Sequence, residues 1–511
     1  MCRNILEYLE ESAKKYPDKV AFDDDKSTVS FGGLMARARA LGSVLAGKEL
    51  ARRPAAVFLP KGCDCITAFM GVVYAGGFYC PIDTAMPSER ISLIFDTLKP
   101  SVIITSQKYS GKISTISGNA EIVILEEAQH AEIDSAALSA IRRGMVDADP
   151  LYVLFTSGST GVPKGVLVSH RAVIDFTDWV TAKFSVTEKD ILGNQGNFYF
   201  DLSVLDIYSC LKSGATDIII PKKKYAFPVD LIKYLNEKKI TIVNWVPSVI
   251  CNIADMRALE VVKPEHLKKT LFCGEVMPSK QLNIWKKFCP EIQYVNMYGP
   301  TETVYASTYY IVDREFSDDE PLPIGVPCEN TRVLVLDDNG REVAYGESGE
   351  LCIAGTCLAL GYYNDFERTS KVFTQNPLNS SYEEKIYHTG DIVKYNSCGE
   401  LMYLSRKDFQ IKHMGHRIEL GEIETAMGSI PEVDSCACVY DDDRKQICVF
   451  FTGNMTDKPA IIAALKKRLQ VYMIPARYFR LKALPHNLNG KVDRRELSAR
   501  IVSGAEDSHE I

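Results

Sequence analysis

Apolar and polar residues follow one another along this chain in successive patterns. In the first twenty residues, "MCRNILEYLEESAKKYPDKV", charges interleave with apolar residues at helical spacing. Through most of the first 400 residues, short β-branched or apolar runs follow: "AAVFLP", "SVIITS", "EIVILE", "LYVLF", "TDIIIP", "TIVNWV" and "LFCG". Several lead into stretches of helical period such as "DLIKYLNEKK" and "SKQLNIWKKF". That alternation predicts α/β layers with largely parallel sheets. From about Pro321 the runs are punctuated by Gly, as in "RVLVLDDNGREV", "GELCIAG" and "IVKYNSCGELMYL", which predicts a more antiparallel, barrel-like portion. After Arg406-Lys407-Asp408, "RIELGEIETAMGSI", "DSCACVY", "QICVFFTG" and "IIAALKKRLQ" predict a small α+β domain. The expected division is a large N-terminal domain over 1–407 and a small mobile C-terminal domain over 408–511, hinged at Lys407-Asp408. No internal repeat is evident, and the acidic tail "SGAEDSHEI" is expected to fray.

Composition narrows the partners. A chain of 511 residues, 46% hydrophobic and 24% charged, buries a large core and splits into more than one domain. The net charge is −7 and no Lys/Arg block stands out, which argues against a protein held on nucleic acid. No signal peptide or membrane-spanning run is present, so a cytoplasmic monomer without membrane insertion is expected. The fifteen cysteines form no regular framework, and the pairs Cys63/Cys65 and Cys436/Cys438 lack zinc-site spacing; reduced thiols are expected.

The candidate chemistry starts in "LYVLFTSGSTGVPKGV", Leu151 to Val166. Thr156, Ser157, Ser159 and Thr160 put four hydroxyls in five residues, while Gly158 and Gly161 permit the positive φ values of an anion nest. Pro163 and Gly165 stand where a Walker A loop has Gly and Ser/Thr, so that reading fails. For the stretch alone, the lesser alternative is a flexible Ser/Gly turn.

It has company. "TSGSTGVPKGV", "NMYGPTE" (Asn296 to Glu302), "YHTGD" (Tyr387 to Asp391), "RKDFQIKHMGHRIELGEIE" (Arg406 to Glu424) and "NGKVDR" (Asn489 to Arg494) occur in that order. With "VSFGGL", "YAGGFYCPID" and "VYMIP" they cover nearly the whole chain. Together they resemble the adenylate-forming superfamily, which includes acyl-CoA synthetases, luciferases and the adenylation domains of nonribosomal peptide synthetases. The resemblance implies two steps: a carboxylate attacks the α-phosphorus of Mg-ATP, releasing pyrophosphate, and a thiol then takes the acyl group. ATP and Mg2+ are the implied cofactors. The Thr156 to Lys164 loop, with Ser157, Gly158, Ser159, Thr160 and Gly161, is assigned to the β- and γ-phosphates, and Lys164 adds a point charge. Tyr298 is expected to stack on adenine, with Asn296 and the backbone around Gly274 and Glu275 on its polar edge. Met297, Gly299, Pro300, Thr301 and Tyr403 are counted among the nucleotide contacts. Glu302 is the implied Mg2+ contact, Asp391 a ribose acceptor, and Arg406 a second ribose or phosphate contact.

Lys491, in "NLNGKVDR", is the implied catalytic cation between the substrate carboxylate and the α-phosphate. Asp408 matches the hinge about which the small domain exchanges Lys491 for the loop around Gly415, where a narrow pantetheine tunnel requires no side chain. Three places depart from the pattern: Ser405 in place of Gly, His388 in place of Arg or Lys, and Asn487-Leu488 in place of Thr-Pro. None removes a charged catalytic group.

In "FYFDLSVLDIY", Asp201 falls where amino-acid-activating members place a carboxylate for the substrate ammonium; otherwise it reads as a helix cap. The resemblance makes Leu202, Leu205, Asn244, Leu271, Cys273, Met297, Tyr305 and Ala306 the remaining pocket wall. Cys273, where Gly or Ala is usual, shortens the pocket, and Tyr305 either fills volume or reads a polar group. "FDLSVLDIY" and "FCGEVMP" look most like D-alanine:D-alanyl carrier protein ligases, although Met297 and Tyr305 replace smaller residues. D-Alanine is the favoured acid. The alternatives are a stand-alone peptide-synthetase adenylation enzyme for Ala, Gly, Ser or Cys, and an inactive ATP-binding protein. The acceptor is expected in trans, on the phosphopantetheine of a carrier protein met by the basic runs "KKRLQ" and "RYFRLK".

Overall fold

A computed structural model of the chain describes residues 2–158, 161–407, 410–455, 457–485, 492–503 and 509–510. The chain forms two compact units. The first comprises Met1–Thr84, Leu98–Leu154 and Gly165–Lys407. The second comprises Asp408–Ile511 together with Ala85–Thr97 and Phe155–Lys164, two segments that the sequence patterns assign to the large domain.

The apolar runs of the first unit become strands of two sheets. Val102–Thr105, Pro54–Phe58, Phe78–Pro81 and Pro150–Thr156 belong to a seven-stranded sheet, and Ile191–Asn194, Ile242–Trp245, Lys269–Phe272 and Gln293–Tyr298 to a nine-stranded one. Their pairings are parallel. Buried parallel strands need both faces covered, which is why these runs are apolar without alternation. In the nine-stranded sheet, alternate residues enter two different cores. Ile219, Ile242, Leu271 and Val295 join one, whereas Ile218, Val243, Phe272 and Tyr294 join the other. The helices "DLIKYLNEKK" and "SKQLNIWKKF" appear as Pro228–Glu237 and Ser279–Phe288, lining the second core with Leu231, Leu235, Leu282 and Trp285.

The Gly-punctuated portion is a five-stranded antiparallel sheet of Thr331–Leu336, Gly349–Gly355, Lys385–Tyr395, Phe373–Gln375 and Leu401–Arg406. In the second unit, Val433–Asp441, Gln446–Gly453, Arg477–Arg480 and His509–Glu510 form a four-stranded sheet. It again divides its residues by parity: Cys438, Val449 and Phe451 pack with helices Leu420–Gly428 and Lys458–Leu465, and Ala437, Cys448 and Phe450 with helix Arg494–Ser503. No helix among the described residues is long and apolar enough to cross a membrane, and all fifteen cysteines are free.

Candidate functional site

Three parallel strands of the nine-stranded sheet deliver the candidate pocket at their carboxyl ends, where ligands of open α/β sheets are held. Asn244 is in register with Leu271, and Leu271 with Val295. Because side chains repeat every second residue, Asn244, Leu271, Cys273 and Met297 lie on one face. Helix Leu202–Ser213 covers that face, and Leu202, Leu205, Leu271, Cys273, Met297, Tyr305 and Ala306 share one core. Asn244 is wholly buried and ties the wall together. Its Nδ2 donates to the Leu202 carbonyl (3.0 Å), and its Oδ1 accepts from the Tyr305 hydroxyl (2.6 Å). That hydroxyl, which burial keeps neutral, is thus committed within the wall.

Asp201 directly precedes helix Leu202–Ser213 in right-handed helical geometry, and its side chain makes no capping hydrogen bond. The helix-cap reading therefore fails.

The loop after Tyr298 joins this wall to a second group of polar residues. Gly299 has no room for a side chain: a Cβ there would stand 2.5 Å from the Tyr305 carbonyl oxygen and 2.6 Å from the Ala306 Cα. After Pro300, the turn Thr301–Thr303 buries Glu302 completely, and Tyr362 donates its hydroxyl to Glu302 Oε1 (2.7 Å). Val304 then adopts φ 73°, ψ −68°, and the Tyr305 amide donates back to the Thr303 carbonyl (3.0 Å). This is the strained positive-φ γ-turn, which costs on the order of 1–3 kcal/mol for a non-glycine residue and persists only where its surroundings impose it.

Tyr298 is buried, and its hydroxyl donates to Asp391 Oδ2. Arg406 Nη1 donates to Asp391 Oδ1 (2.7 Å), and Nη2 to the Thr389 carbonyl (3.2 Å). Burial first, and then Asp391, holds the Tyr298 phenol well above its usual range, so it remains a donor. Tyr403 packs at the edge of the same small core as Tyr298. Asn296 Nδ2 donates to the Pro323 carbonyl (2.7 Å). Gly274 takes φ +99° just beyond strand Lys269–Phe272, and Glu275 accepts from the Ser248 amide (2.9 Å) at the start of helix Pro247–Asp255.

In the second unit, Thr156, Ser157 and Lys164 are buried. Ser157 Oγ donates to the Arg417 carbonyl (2.8 Å) and accepts from the Glu419 amide (3.2 Å). Glu422 is paired with Arg90 and also accepts from the Gly158 amide; burial raises its pKa against both. Two observations fit a polyphosphate at this loop: the Gly158 amide already serves a carboxylate, and Thr156 Oγ1 is buried with no partner among the described residues. For Mg2+, Glu302 offers the hard carboxylate oxygen the ion prefers. Gly415 takes φ +77° after Met414 at +52°, between the paired His413 and His416. The two-residue hairpin turn demands positive φ at both positions, a backbone reason for glycine beside the expected tunnel. Ser159, Thr160, Asp408, Asn487-Leu488 and Lys491 lie outside the described residues.

One buried cluster was not singled out from the sequence. Lys61 donates to the carbonyls of Asn194 (3.2 Å) and Gln195 (3.0 Å), which lead into the loop carrying Asp201. Asp206 and Asp217 are fully buried beside it, and burial raises both carboxyls against the attraction of Lys61. Only the helical period of "LDIY" was visible at Asp206, and period does not tell a solvated polar position from a buried one.

Comparison with known proteins identifies the family and the fold. The family described as AMP-binding enzyme matches residues 9–363. Tyrocidine synthase 1 of Brevibacillus parabrevis is 29% identical over 500 residues, covering 97% of this chain, which spans only 45% of that synthase. D-alanine–D-alanyl carrier protein ligase of Lactiplantibacillus plantarum is 32% identical over 510 residues, covering 96% of this chain and 98% of the ligase. Among solved structures, the Vibrio cholerae adenylation domain AlmE, in complex with glycyl-adenosine-5'-phosphate, shares the fold with TM-score 0.83 at 21% identity, over 98% of both chains. By its matched residues and its full-length relatives, this chain belongs to the AMP-binding enzyme family.

Proposed function

We propose that the protein is an adenylate-forming ligase that activates a small amino acid, D-alanine first, and passes the acyl group to the phosphopantetheine thiol of a carrier protein supplied in trans. The observation that carries this reading is the loop Gly299–Ala306, which builds Glu302 and the pocket wall residues Tyr305 and Ala306 onto one strained, tightly packed backbone. In the first step the substrate carboxylate attacks the α-phosphorus of ATP, the bond to the β-phosphate oxygen breaks, and pyrophosphate leaves. Thr156, Ser157, Gly158 and Lys164 hold the leaving group's oxygens, and Asp391 and Arg406 meet the ribose side. Glu302 would hold Mg2+, which would supply positive charge to the phosphates. Lys491 supplies positive charge between the two reacting anions, on a small domain over 408–511 that turns about Asp408 for the thiol step.

Asp201 pairs with the substrate ammonium, and an apolar wall closed by Cys273 and the Asn244–Tyr305 bond limits the side chain to a small one. The 32% identity to a D-alanine–D-alanyl carrier protein ligase over nearly its full length supports D-alanine. The test is amino-acid-dependent exchange of labelled pyrophosphate into ATP over L- and D-amino acids. The expected order places D-alanine first, with L-Ala, Gly, Ser and Cys behind it. Absence of exchange with every acid overturns the enzyme reading, and preference for an aromatic or acidic amino acid overturns the small pocket.

A further inference from the structure

His388, one of the departures from the family pattern, meets two other side chains in the antiparallel sheet. It pairs in register with Cys352 on the neighbouring strand, and a register shift between Glu350 and Cys352 lets Glu350 reach the same ring. His388 Nδ1 lies 3.3 Å from Cys352 Sγ and 3.3 Å from Glu350 Oε2, and the three donor atoms all fall within 4.8 Å of one another. Among the described residues no other three His, Cys, Asp or Glu side chains come together so closely.

Both ring nitrogens of His388 have polar neighbours. His388 Nε2 lies 3.1 Å from the Thr374 hydroxyl, a hydrogen bond that fastens the far side of the ring. Nδ1 faces the thiol and the carboxylate, and Glu350 accepts a hydrogen bond from it; a cation bound there takes the place of that proton, which leaves for the buffer. An imidazole whose far nitrogen is fastened to a polar partner is the usual arrangement of a metal-ligating histidine. Lys407 Nζ stands 3.4 Å from Glu350 Oε2, but it is closer to Asp338, at 2.8 Å, and can stay there when another cation arrives.

The spacing suits a tetrahedral ion. Bonds of roughly 2.0–2.3 Å at tetrahedral angles separate nitrogen from oxygen by about 3.3 Å and nitrogen from sulfur by about 3.6 Å. The two separations from Nδ1 are 3.3 Å, within a few tenths of an ångström of these values, and the thiol sulfur and the carboxylate oxygen lie within 4.8 Å of each other. Cys352 is wholly buried, whereas the side chains of Glu350 and His388 are 13% and 30% exposed, so an ion enters from their side and keeps its fourth position open to water.

We propose that Glu350, Cys352 and His388 form a binding site for a thiophilic divalent cation, Zn2+ or Co2+, separate from the Mg2+ role assigned to Glu302. As the Sγ–metal bond forms, the thiol proton passes to the buffer.

The test is titration of the chelator-treated full chain with Co2+ alone. About one equivalent should bind with a thiolate-to-cobalt charge-transfer band, and Zn2+ should abolish that band. Cys352→Ser should lose the band. His388→Asn should weaken binding at least about tenfold, and Thr374→Val, which touches only the ring's far nitrogen, by roughly 10- to 100-fold with the band retained. Circular dichroism checks that each variant is folded; if Cys352→Ser fails it, the partly exposed Glu350→Gln replaces it, with weakened Co2+ binding expected. No thiolate band in the wild type, or wild-type affinity in the Cys352, Glu350 and His388 variants, overturns the site.

Discussion

Asp201 stands at the start of a helix it does not cap. Asp201→Ala removes no capping hydrogen bond, so the variant should still fold with the circular dichroism spectrum of the wild type. An unpaired substrate ammonium costs several kcal/mol, so pyrophosphate exchange should fall by on the order of 100-fold or more. Unchanged exchange refutes the ammonium role. Tyr305→Phe behaves oppositely. It strands the buried Asn244 Oδ1, and chemical denaturation should show a loss of about 1–3 kcal/mol. Tyr298, Glu302 and Asp391 could be singled out as candidates because each sits in a short local motif that carries the family resemblance. The Asn244–Tyr305 bond could not be. Those residues are 61 positions apart and meet only through the register of three strands. The Asp391–Arg406 pair likewise depends on antiparallel pairing, which puts the two residues directly opposite each other.

Every apolar run marked in the sequence as a strand of the first unit is a strand, because a buried parallel strand leaves a local trace in its β-branched composition. The partition into nine- and seven-stranded sheets left no such trace: "TIVNWV" and "SVIITS" look alike and belong to different sheets. Partner choice is a long-range property, decided by which helix covers which face. The loop Gly299–Ala306 is likewise an element whose geometry the motif "YGPTE" does not spell out. Gly299→Ala would press a methyl group into the Tyr305 carbonyl and the Ala306 Cα, both backbone atoms without room to yield. Backbone displacement there moves Glu302 and the pocket wall together, so exchange should drop for every amino acid tested and the melting temperature should fall. A loss confined to one amino acid would contradict that coupling.

At the scale of the whole molecule, the buried Lys61–Asp206–Asp217 cluster makes the first unit's stability depend on pH. Burial raises the Asp217 carboxyl in the folded state, with Asn194 and Lys61 opposing the shift. Above about pH 4, where an unfolded aspartate has lost its proton, the folded chain still holds one, so stability declines as pH rises from there toward neutrality. Asp217→Asn keeps the size, removes that proton-binding difference and should flatten the decline; equal slopes for variant and wild type, measured by denaturant titration across pH 4–8, would count against it. Evolving the enzyme toward another amino acid meets a different obstacle. Tyr305 and Ala306 share their backbone with Gly299 and the strained Val304 turn, so a library randomised there would accumulate variants that have lost ATP use altogether, whatever acid they were meant to accept. On the proposed reading, Leu202 and Cys273, at a helix start and just beyond a strand end outside that loop, are where a selectivity library should leave the nucleotide half of the reaction intact.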